Sequence, residues 1–121
     1  MNQEHHMKSV LQGYIDAFNR NDLEAIVDLY AENATVEDPY GTPPKQGHAA
    51  IREFYANALQ TGAKLELNAP IRASMGDAAA MAFTAVIATT RVSVIDVMTF
   101  NEQGLITSMR AYFGQSDMVT G

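Results

Sequence analysis

The order of hydrophobic and polar positions divides the chain into a helical first half and a stranded second half. From about Glu4 to Asn19, apolar residues recur every three or four positions, which predicts an amphipathic helix. Its buried stripe is predicted to contain Met7, Val10, Leu11, Tyr14, Ile15 and Phe18. A second helix is predicted to begin after a cap at Asn21 or Asp22 and to end near Asn33, with Ile26, Leu29 and Tyr30 buried.

A short extended segment separates the second helix from a third. The segment Ala34 to Asp38 is predicted to be extended, because the residue before Pro39 is disfavoured in the helical region. A loop follows, and Gly47 to Leu59 is predicted to form the third helix. Its buried side is predicted to contain Ile51, Phe54, Tyr55, Ala58 and Leu59.

The second half of the chain is predicted to be sheet. Runs of β-branched and apolar residues, separated by turn residues, predict strands near Leu65–Ala73, Ala79–Thr89, Val92–Phe100 and Leu105–Phe113. Asn101 to Gly104 predicts a hairpin turn with Gly104 in a left-handed conformation. Three N-terminal helices followed by such strands predict an α+β domain, in which the helices pack on one face of a mainly antiparallel sheet. If that sheet curves strongly, a conical apolar cavity forms between sheet and helices.

Length and charge restrict the classes of function. The 121 residues are predicted to form a single domain over residues 1–121. A net charge of −6 argues against nucleic acid or an anionic membrane surface as a partner. The absence of cysteine from the sequence excludes disulfides and thiol chemistry. We see neither a signal peptide nor an apolar run long enough to cross a membrane, so we expect a cytoplasmic protein.

Asp96 lies in an unusual position for a carboxylate. Alternation along the predicted strand puts it on the more apolar face, which has no lysine, arginine or histidine and consists otherwise of Val92, Val94, Met98 and Phe100. A buried carboxylate without a partner takes up a proton and becomes a hydrogen-bond donor. The alternative is that Asp96 points to solvent or caps a neighbouring loop, and the strand alone does not decide between the two.

Two further polar residues share the predicted interior. Tyr14 lies on the buried stripe of the first helix, where it is either a core tyrosine bonded to a backbone carbonyl or a donor to a ligand. Asp38 shares a strand face with Val36, at a strand end beside Pro39. It is either an Asp-Pro turn initiator or a base at the mouth of a cavity. Together, two acids and a phenol could move a proton next to a carbonyl group and stabilise the resulting oxyanion.

The apolar strand faces and the histidine positions are weaker indications of function. Alternation predicts one face with Met81, Phe83, Ala85 and Ile87, and another with Leu105, Thr107, Met109, Ala111 and Phe113. These residues could form the walls of a pocket for a flat apolar ligand, or they could simply belong to the hydrophobic core. No metal site is predicted, because His5 and His6 are adjacent on a helix and His48 is remote in sequence.

Read together, these motifs resemble the bacterial Δ5-3-ketosteroid isomerases along nearly the whole chain. The matching segments are Tyr14 on the first helix, Asn21 to Val27, Ala34 to Pro39 with Gly41, Ala50 to Tyr55, Ile95 to Met98, and Ser108 to Ala111. The resemblance implies the cone-shaped α+β fold that these enzymes share with nuclear transport factor 2 and the polyketide cyclases. It also implies a homodimer that needs no cofactor and acts on a small 3-oxosteroid.

The resemblance also implies roles for individual residues. Asp38 would be the general base that moves a proton from C4 to C6 of a 3-oxo-Δ5-steroid, while Tyr14 and protonated Asp96 donate hydrogen bonds to O3 of the dienolate. Tyr30 and Tyr55 resemble tyrosines that support this oxyanion hole through Tyr14. The apolar walls that hold the steroid would be Phe54, Met81, Phe83, Met98, Met109 and Phe113.

One departure from the family concerns the hairpin between Phe83 and Asp96. These residues are closer in sequence than in the family by about four positions, and removing two from each strand keeps every side chain on its face. We therefore expect a short hairpin around Thr89 to Arg91 with the catalytic set intact, and an altered pocket rim. Two other classes with this fold remain as alternatives: cyclases or dehydratases acting on small molecules, and non-catalytic ligand-binding modules.

Overall fold

Three helices precede most of the sheet, as the sequence predicts. The computed structural model describes residues 3–121; the predicted domain of residues 1–121 also includes residues 1 and 2, which lie outside that range. The helices are α1 (Gln3–Asn19), α2 (Leu23–Val27) and α3 (His48–Gln60). The strands are β1 (Tyr30–Glu37), β2 (Lys45–Gln46), β3 (Lys64–Leu67), β4 (Ala78–Ile87), β5 (Thr90–Phe100), β6 (Ile106–Tyr112) and β7 (Met118–Thr120), the last preceded by a short 3-10 helix, Gln115–Asp117.

The strands form one curved, unclosed mixed sheet. Its order is β2-β1-β6-β5-β4-β3, and β7 pairs with the first residues of β5. β1 and β6 are parallel, whereas the other pairs are antiparallel. The three helices pack on one face of this sheet, so the predicted α+β class is confirmed.

The core lies between this inner face and the helices. The stripe predicted for α1 is buried in full, from Met7 to Phe18. On β5 the predicted alternation is also present: Val92, Val94, Asp96, Met98 and Phe100 are buried, and Ile95 is about half exposed at 49%. Burial of one residue in two along β5 is what directs Asp96 inward.

The second helix is shorter than the sequence predicts. It ends at Val27, capped by Asp28, and Tyr30 begins strand β1, so the predicted stop near Asn33 is wrong. Ile26, Leu29 and Tyr30 do have helical spacing, but the backbone from Leu29 onward pairs with β6, where Ile106 N donates to Leu29 O at 2.9 Å. Tertiary pairing here overrides the local spacing. Tyr30 therefore reaches the interior from the sheet.

Two strand predictions also need correction. The predicted strand from Leu65 to Ala73 is regular only as far as Leu67, and it contains Pro70, which cannot donate to a sheet. Beyond Pro70, Arg72 forms a single isolated bridge with Ala80. On β6 the register with β5 shifts: Thr99 opposes Ser108, but Phe100 opposes Ile106. This β-bulge at Thr107 reverses the alternation of inward and outward side chains at the start of β6. Ile106 is therefore buried, whereas the prediction placed Leu105 and Thr107 on the inward face.

The hairpin between β4 and β5 is short. Ile87 pairs with Thr90, which leaves a loop of only Ala88 and Thr89. Met81 opposes Asp96 and Phe83 opposes Val94, and all four side chains are buried on the inner face of the sheet. A short hairpin therefore leaves Phe83 and Asp96 on the same face, as expected for loss of an even number of residues.

The free edge of β3 is closed by a side chain from α1. The Asn19 amide donates to Leu65 O at 2.9 Å and accepts from Leu65 N at 2.8 Å. Lys64 Nζ adds a bond to Asn19 O at 2.8 Å. We call this group the Asn19 clasp. It joins the last turn of α1 to the edge strand that carries Leu65.

Candidate active site

A cavity of about 210 Å³ lies between the inner face of the sheet and helices α1 and α3. Seven of the residues predicted for the site line it: Tyr14, Asp38, Phe54, Tyr55, Phe83, Asp96 and Phe113. Apart from the two acids, the two tyrosines and Thr61, every lining residue is apolar. The cavity thus combines a mostly apolar wall with a few polar groups, which is the usual composition of a small-molecule site.

Four residues predicted for the site lie behind the cavity wall. Tyr30, Met81, Met98 and Met109 are almost fully buried in the core, and they are not part of the cavity lining among residues 3–121. Met98 and Met109 are a cross-strand pair. The cavity extends from Asp96 towards Val92 along β5, while Met98 lies in the opposite direction, where the core fills the space. Face alternation finds the correct side of the strand but not the position of the cavity along it.

Asp96 is a deeply buried acid in the wall of the cavity. The residue is 1% exposed, and neither carboxyl oxygen has a hydrogen-bond partner among the described residues. Burial raises the pKa of Asp96 well above its ordinary value, and the nearby charge of Asp38 raises it further. Burial therefore favours the protonated, neutral carboxyl group, whose proton is available to a ligand in the cavity.

Three buried tyrosines form a chain of hydroxyl groups that ends in the cavity. Tyr55 OH donates to Tyr14 OH at 3.0 Å, and Tyr30 OH lies 2.6 Å from Tyr55 OH. A phenol has a single proton to donate. Because Tyr55 donates its proton to Tyr14, the bond between Tyr30 and Tyr55 must use the proton of Tyr30. Burial raises the pKa of all three phenols. The Tyr14 proton is consequently left to point at the cavity.

Asp38 occupies a different kind of position, one residue beyond the end of β1. It is partly buried, and burial raises its pKa from 3.8 to about 6. The following loop is held by Tyr40 N, which donates to Ala111 O at 2.7 Å, and by Thr42, whose hydroxyl donates to Pro39 O at 2.7 Å. At neutral pH Asp38 is mostly ionised, and it is a stronger base than an ordinary carboxylate.

Several lining residues were not assigned to the site from the sequence. Phe18 follows Tyr14 by one helical turn on the same stripe, so helical spacing could have identified it. Val92 and Val94 share the face of Asp96 on β5 and could have been identified from strand alternation. Ala58, Ala85 and Ile87 also line the cavity, and each lies on a helix or strand face that the periodicity predicts to be buried. Thr61, Ala63 and Leu65, by contrast, reach the cavity only through the turn from α3 into the edge strand, which has no periodic signal.

The described residues contain no group of three or more histidine, aspartate or glutamate side chains arranged to hold a metal ion. Within the same residues, no helix is long and apolar enough to span a membrane. The polar residues that line the cavity are Asp38, Asp96, Tyr14, Tyr55 and Thr61.

Comparison with known proteins identifies the family of the chain. Residues 11–109 match the model of the SnoaL-like domain. The chain belongs to this family. The chain is 41% identical over 119 residues to a Steroid Delta-isomerase of Nocardioides simplex, and the match covers 93% of this chain and 94% of that relative. The resemblance to steroid isomerases seen in the sequence is thereby confirmed.

Other relatives carry out different chemistry. The Epoxide hydrolase LasB of Streptomyces lasalocidi is 30% identical over 118 residues, which are 91% of this chain but 42% of that longer protein. Among solved structures, the epoxide hydrolase/cyclase-like enzyme SalBIII, studied for pyran ring formation in the polyether salinomycin, superimposes with a TM-score of 0.91. It is 28% identical and covers 99% of this chain and 100% of its own.

Proposed function

We propose that the protein is a steroid Δ-isomerase, which converts 3-oxo-Δ5-steroids into 3-oxo-Δ4-steroids by intramolecular proton transfer. The observation that carries the proposal is the pairing of a buried, neutral Asp96 with an ionised Asp38 in one apolar cavity. The similarity to the Nocardioides enzyme supports the choice of substrate class.

The mechanism assigns one task to each polar group. The Asp38 carboxylate removes a proton from C4, the electron pair moves towards O3, and a dienolate forms. Tyr14 and the protonated Asp96 donate hydrogen bonds to the negative O3. The proton held by Asp38 then returns to C6, which restores the carboxylate and leaves a conjugated enone. No group outside the protein is consumed, so the reaction needs no cofactor.

The tyrosine chain and the apolar walls support this chemistry. Tyr30 and Tyr55 donate towards Tyr14, which makes the Tyr14 proton a better donor to an oxyanion. Phe54, Phe83 and Phe113 supply flat apolar contacts for the steroid nucleus. Met81, Met98 and Met109 fill the core behind these walls and so limit how deeply the ring with O3 can enter.

The proposal includes a cytoplasmic homodimer. Large apolar side chains are exposed on the outer surface of the sheet, including Ile95 at 49% and Tyr112 at 41%. Such a patch is typical of a surface that binds another protein, and a second copy of the chain would cover it. Light scattering of the purified protein measures this state directly.

The direct test of the proposed function is ultraviolet absorbance on mixing the protein with a 3-oxo-Δ5-steroid. Isomerisation conjugates the double bond with the carbonyl group, so a new absorption band grows at a rate proportional to enzyme concentration. A folded protein that binds the steroid but produces no band would contradict the proposal. That outcome would favour a ligand-binding module of the same fold.

A second candidate is an enzyme that opens epoxides, either by water or by an internal hydroxyl group. It is favoured by the same pair of acids, because a neutral carboxylic acid can protonate the epoxide oxygen while a carboxylate activates the nucleophile. The similarity of the chain to LasB and SalBIII also supports this candidate. Incubation with an epoxide that carries an internal hydroxyl group, analysed by mass spectrometry and NMR, tests this candidate. Ring opening without steroid turnover would replace the first proposal.

A further inference from the structure

The outer face of the sheet carries a cluster of side chains directly behind the proposed base. Arg110, on β6, donates from Nε to Glu37 Oε1 at 3.1 Å. Its guanidinium carbon lies 5.1 Å from the centre of the Tyr40 ring, and that ring packs on Tyr112 at 5.3 Å between centroids. We call Glu37, Tyr40, Arg110 and Tyr112 the Arg110 cluster.

Two of the residues that Arg110 contacts, Glu37 and Tyr40, lie on opposite sides of Asp38 in the sequence. Glu37 immediately precedes the base and is the register partner of Arg110 across the parallel β1–β6 pair. Tyr40 follows the base by two positions, and its backbone is bonded to Ala111, the neighbour of Arg110. Asp38 itself lies beyond the last paired residue of β1, so strand pairing alone does not fix its backbone.

We propose that Arg110 is a positioning residue for the base, which holds the segment from Glu37 to Tyr40 from both ends. The inference rests on the proposed function, in which Asp38 moves the proton. An arginine suits the task because the edge of its planar guanidinium group binds a carboxylate while its face packs on an aromatic ring. A lysine can form the ion pair but not both contacts in this geometry.

A second surface ion pair provides a matched comparison. Arg91 binds Glu66 at 3.0 Å, and both of these side chains are 55% exposed. In the Arg110 pair, Glu37 is only 17% exposed, so its carboxylate is more shielded from solvent. Exposed ion pairs contribute little to stability in either place. The two arginines differ in the exposure of their partner carboxylates and in the backbone that they contact: Arg110 contacts the segment of the base, whereas the Arg91 pair joins β5 to β3, remote in sequence from Asp38.

The experiment compares Arg110→Met, Arg110→Lys and the control Arg91→Met. We expect kcat to fall about tenfold in Arg110→Met, because small errors in the placement of a reacting group have large effects on rate. KM and Tm should remain close to those of the wild type. Arg110→Lys should recover part of the lost kcat, and Arg91→Met should leave kcat unchanged.

Amide hydrogen exchange gives a readout that does not depend on turnover. The Tyr40 amide should exchange faster in Arg110→Met than in the wild type, while the Leu65 amide, held by the Asn19 clasp, should not change. In Arg91→Met the Tyr40 amide should keep its wild-type rate. If the wild type fails to isomerise steroids, the proposed function fails, and Tyr40 exchange alone then decides whether Arg110 holds the segment.

Three results would overturn the inference. One is an Arg110→Met protein with wild-type kcat and wild-type exchange at Tyr40. Another is a general loss, in which Tm falls and slow amides throughout the sheet exchange faster. The third is a loss of kcat that disappears at higher protein concentration, since that would trace the effect to association of two copies, which light scattering would reveal.

Discussion

Two carboxyl groups of the same residue type face one cavity, but the fold holds them in different ways. Asp96 lies in the middle of the longest strand, with paired backbone on both sides and no hydrogen-bond partner for its oxygens among the described residues. Asp38 lies just past the end of β1, where a loop and a cluster on the outer face hold the chain.

The difference shows how position alone assigns acid and base. Deep burial in a strand leaves Asp96 neutral, and a neutral acid on a rigid strand is a fixed hydrogen-bond donor. Partial burial at a strand end raises the pKa of Asp38 only to about 6, so it can give up its proton and take it back.

The largest expected effect comes from removing the base. Asp38→Asn keeps the shape of the side chain but cannot accept a proton, so we expect kcat to fall by about 10²–10⁴-fold. Steroid affinity, measured by equilibrium binding, should be retained or improved, because the ionised group is no longer in the apolar cavity. Turnover equal to that of the wild type would show that Asp38 is not the base.

The next effect distinguishes a neutral Asp96 from an ionised one. Asp96→Leu removes the donor, and we expect a loss of about 10²–10³-fold in kcat. Asp96→Asn keeps a neutral donor of similar size and should lose less. If the two variants were equally impaired, or if Asp96→Leu turned over at the wild-type rate, the donor role of Asp96 would be refuted.

The pH dependence should report the raised pKa of Asp38. Only the ionised base is active, so kcat/KM should fall about tenfold for each pH unit below about 6 and become level above it. Loss of the Asp96 proton would cause a decline at higher pH. A profile that is flat down to pH 4 would contradict the assignment.

Stability should change in the opposite sense over the same range. The folded-state pKa of Asp38, about 6, lies above its ordinary value of 3.8, so the folded protein binds the extra proton and loses stability as pH rises from about 4 to 6. Asp38→Asn removes this cost, and its Tm at pH 7 should exceed that of the wild type by about 5 °C. Thermal unfolding at several pH values measures both trends.

The smallest effect is expected at the far end of the tyrosine chain. Tyr30→Phe removes the donor to Tyr55 but leaves the Tyr55–Tyr14 bond in place, so we expect kcat to fall only about two- to five-fold. Tyr55→Phe breaks the chain next to Tyr14 and should cost more. Equal rates for Tyr30→Phe and Tyr55→Phe would indicate that the chain does not act through Tyr14.

The parts of the fold that could be predicted from the sequence are those with an unbroken period. The helical stripe of α1 is enough to place Tyr14 inside, and the alternation along β5 is enough to place Asp96 inside. The roles proposed for these residues come from the resemblance to a known family, because neither period carries that information.

The errors have a common physical origin in tertiary pairing. Tyr30 was predicted to lie on a helix because its neighbours have helical spacing, whereas pairing with β6 draws that segment into the sheet. The bulge at Thr107 changes which residues of β6 face inward, and nothing in the local sequence marks it. The Arg110 cluster was not foreseen either, because it joins Glu37 and Arg110, which are 73 positions apart in the sequence.

The Asn19 clasp has a consequence for solubility. An edge strand exposes free N–H and C=O groups, to which a strand of another molecule can add, and chains of such additions lead to aggregates. At Leu65 the Asn19 side chain occupies both outward backbone groups, much as a neighbouring strand would. The amide thereby ends the sheet at β3, and the same contact that joins α1 to the cavity wall also prevents unwanted strand addition at this residue.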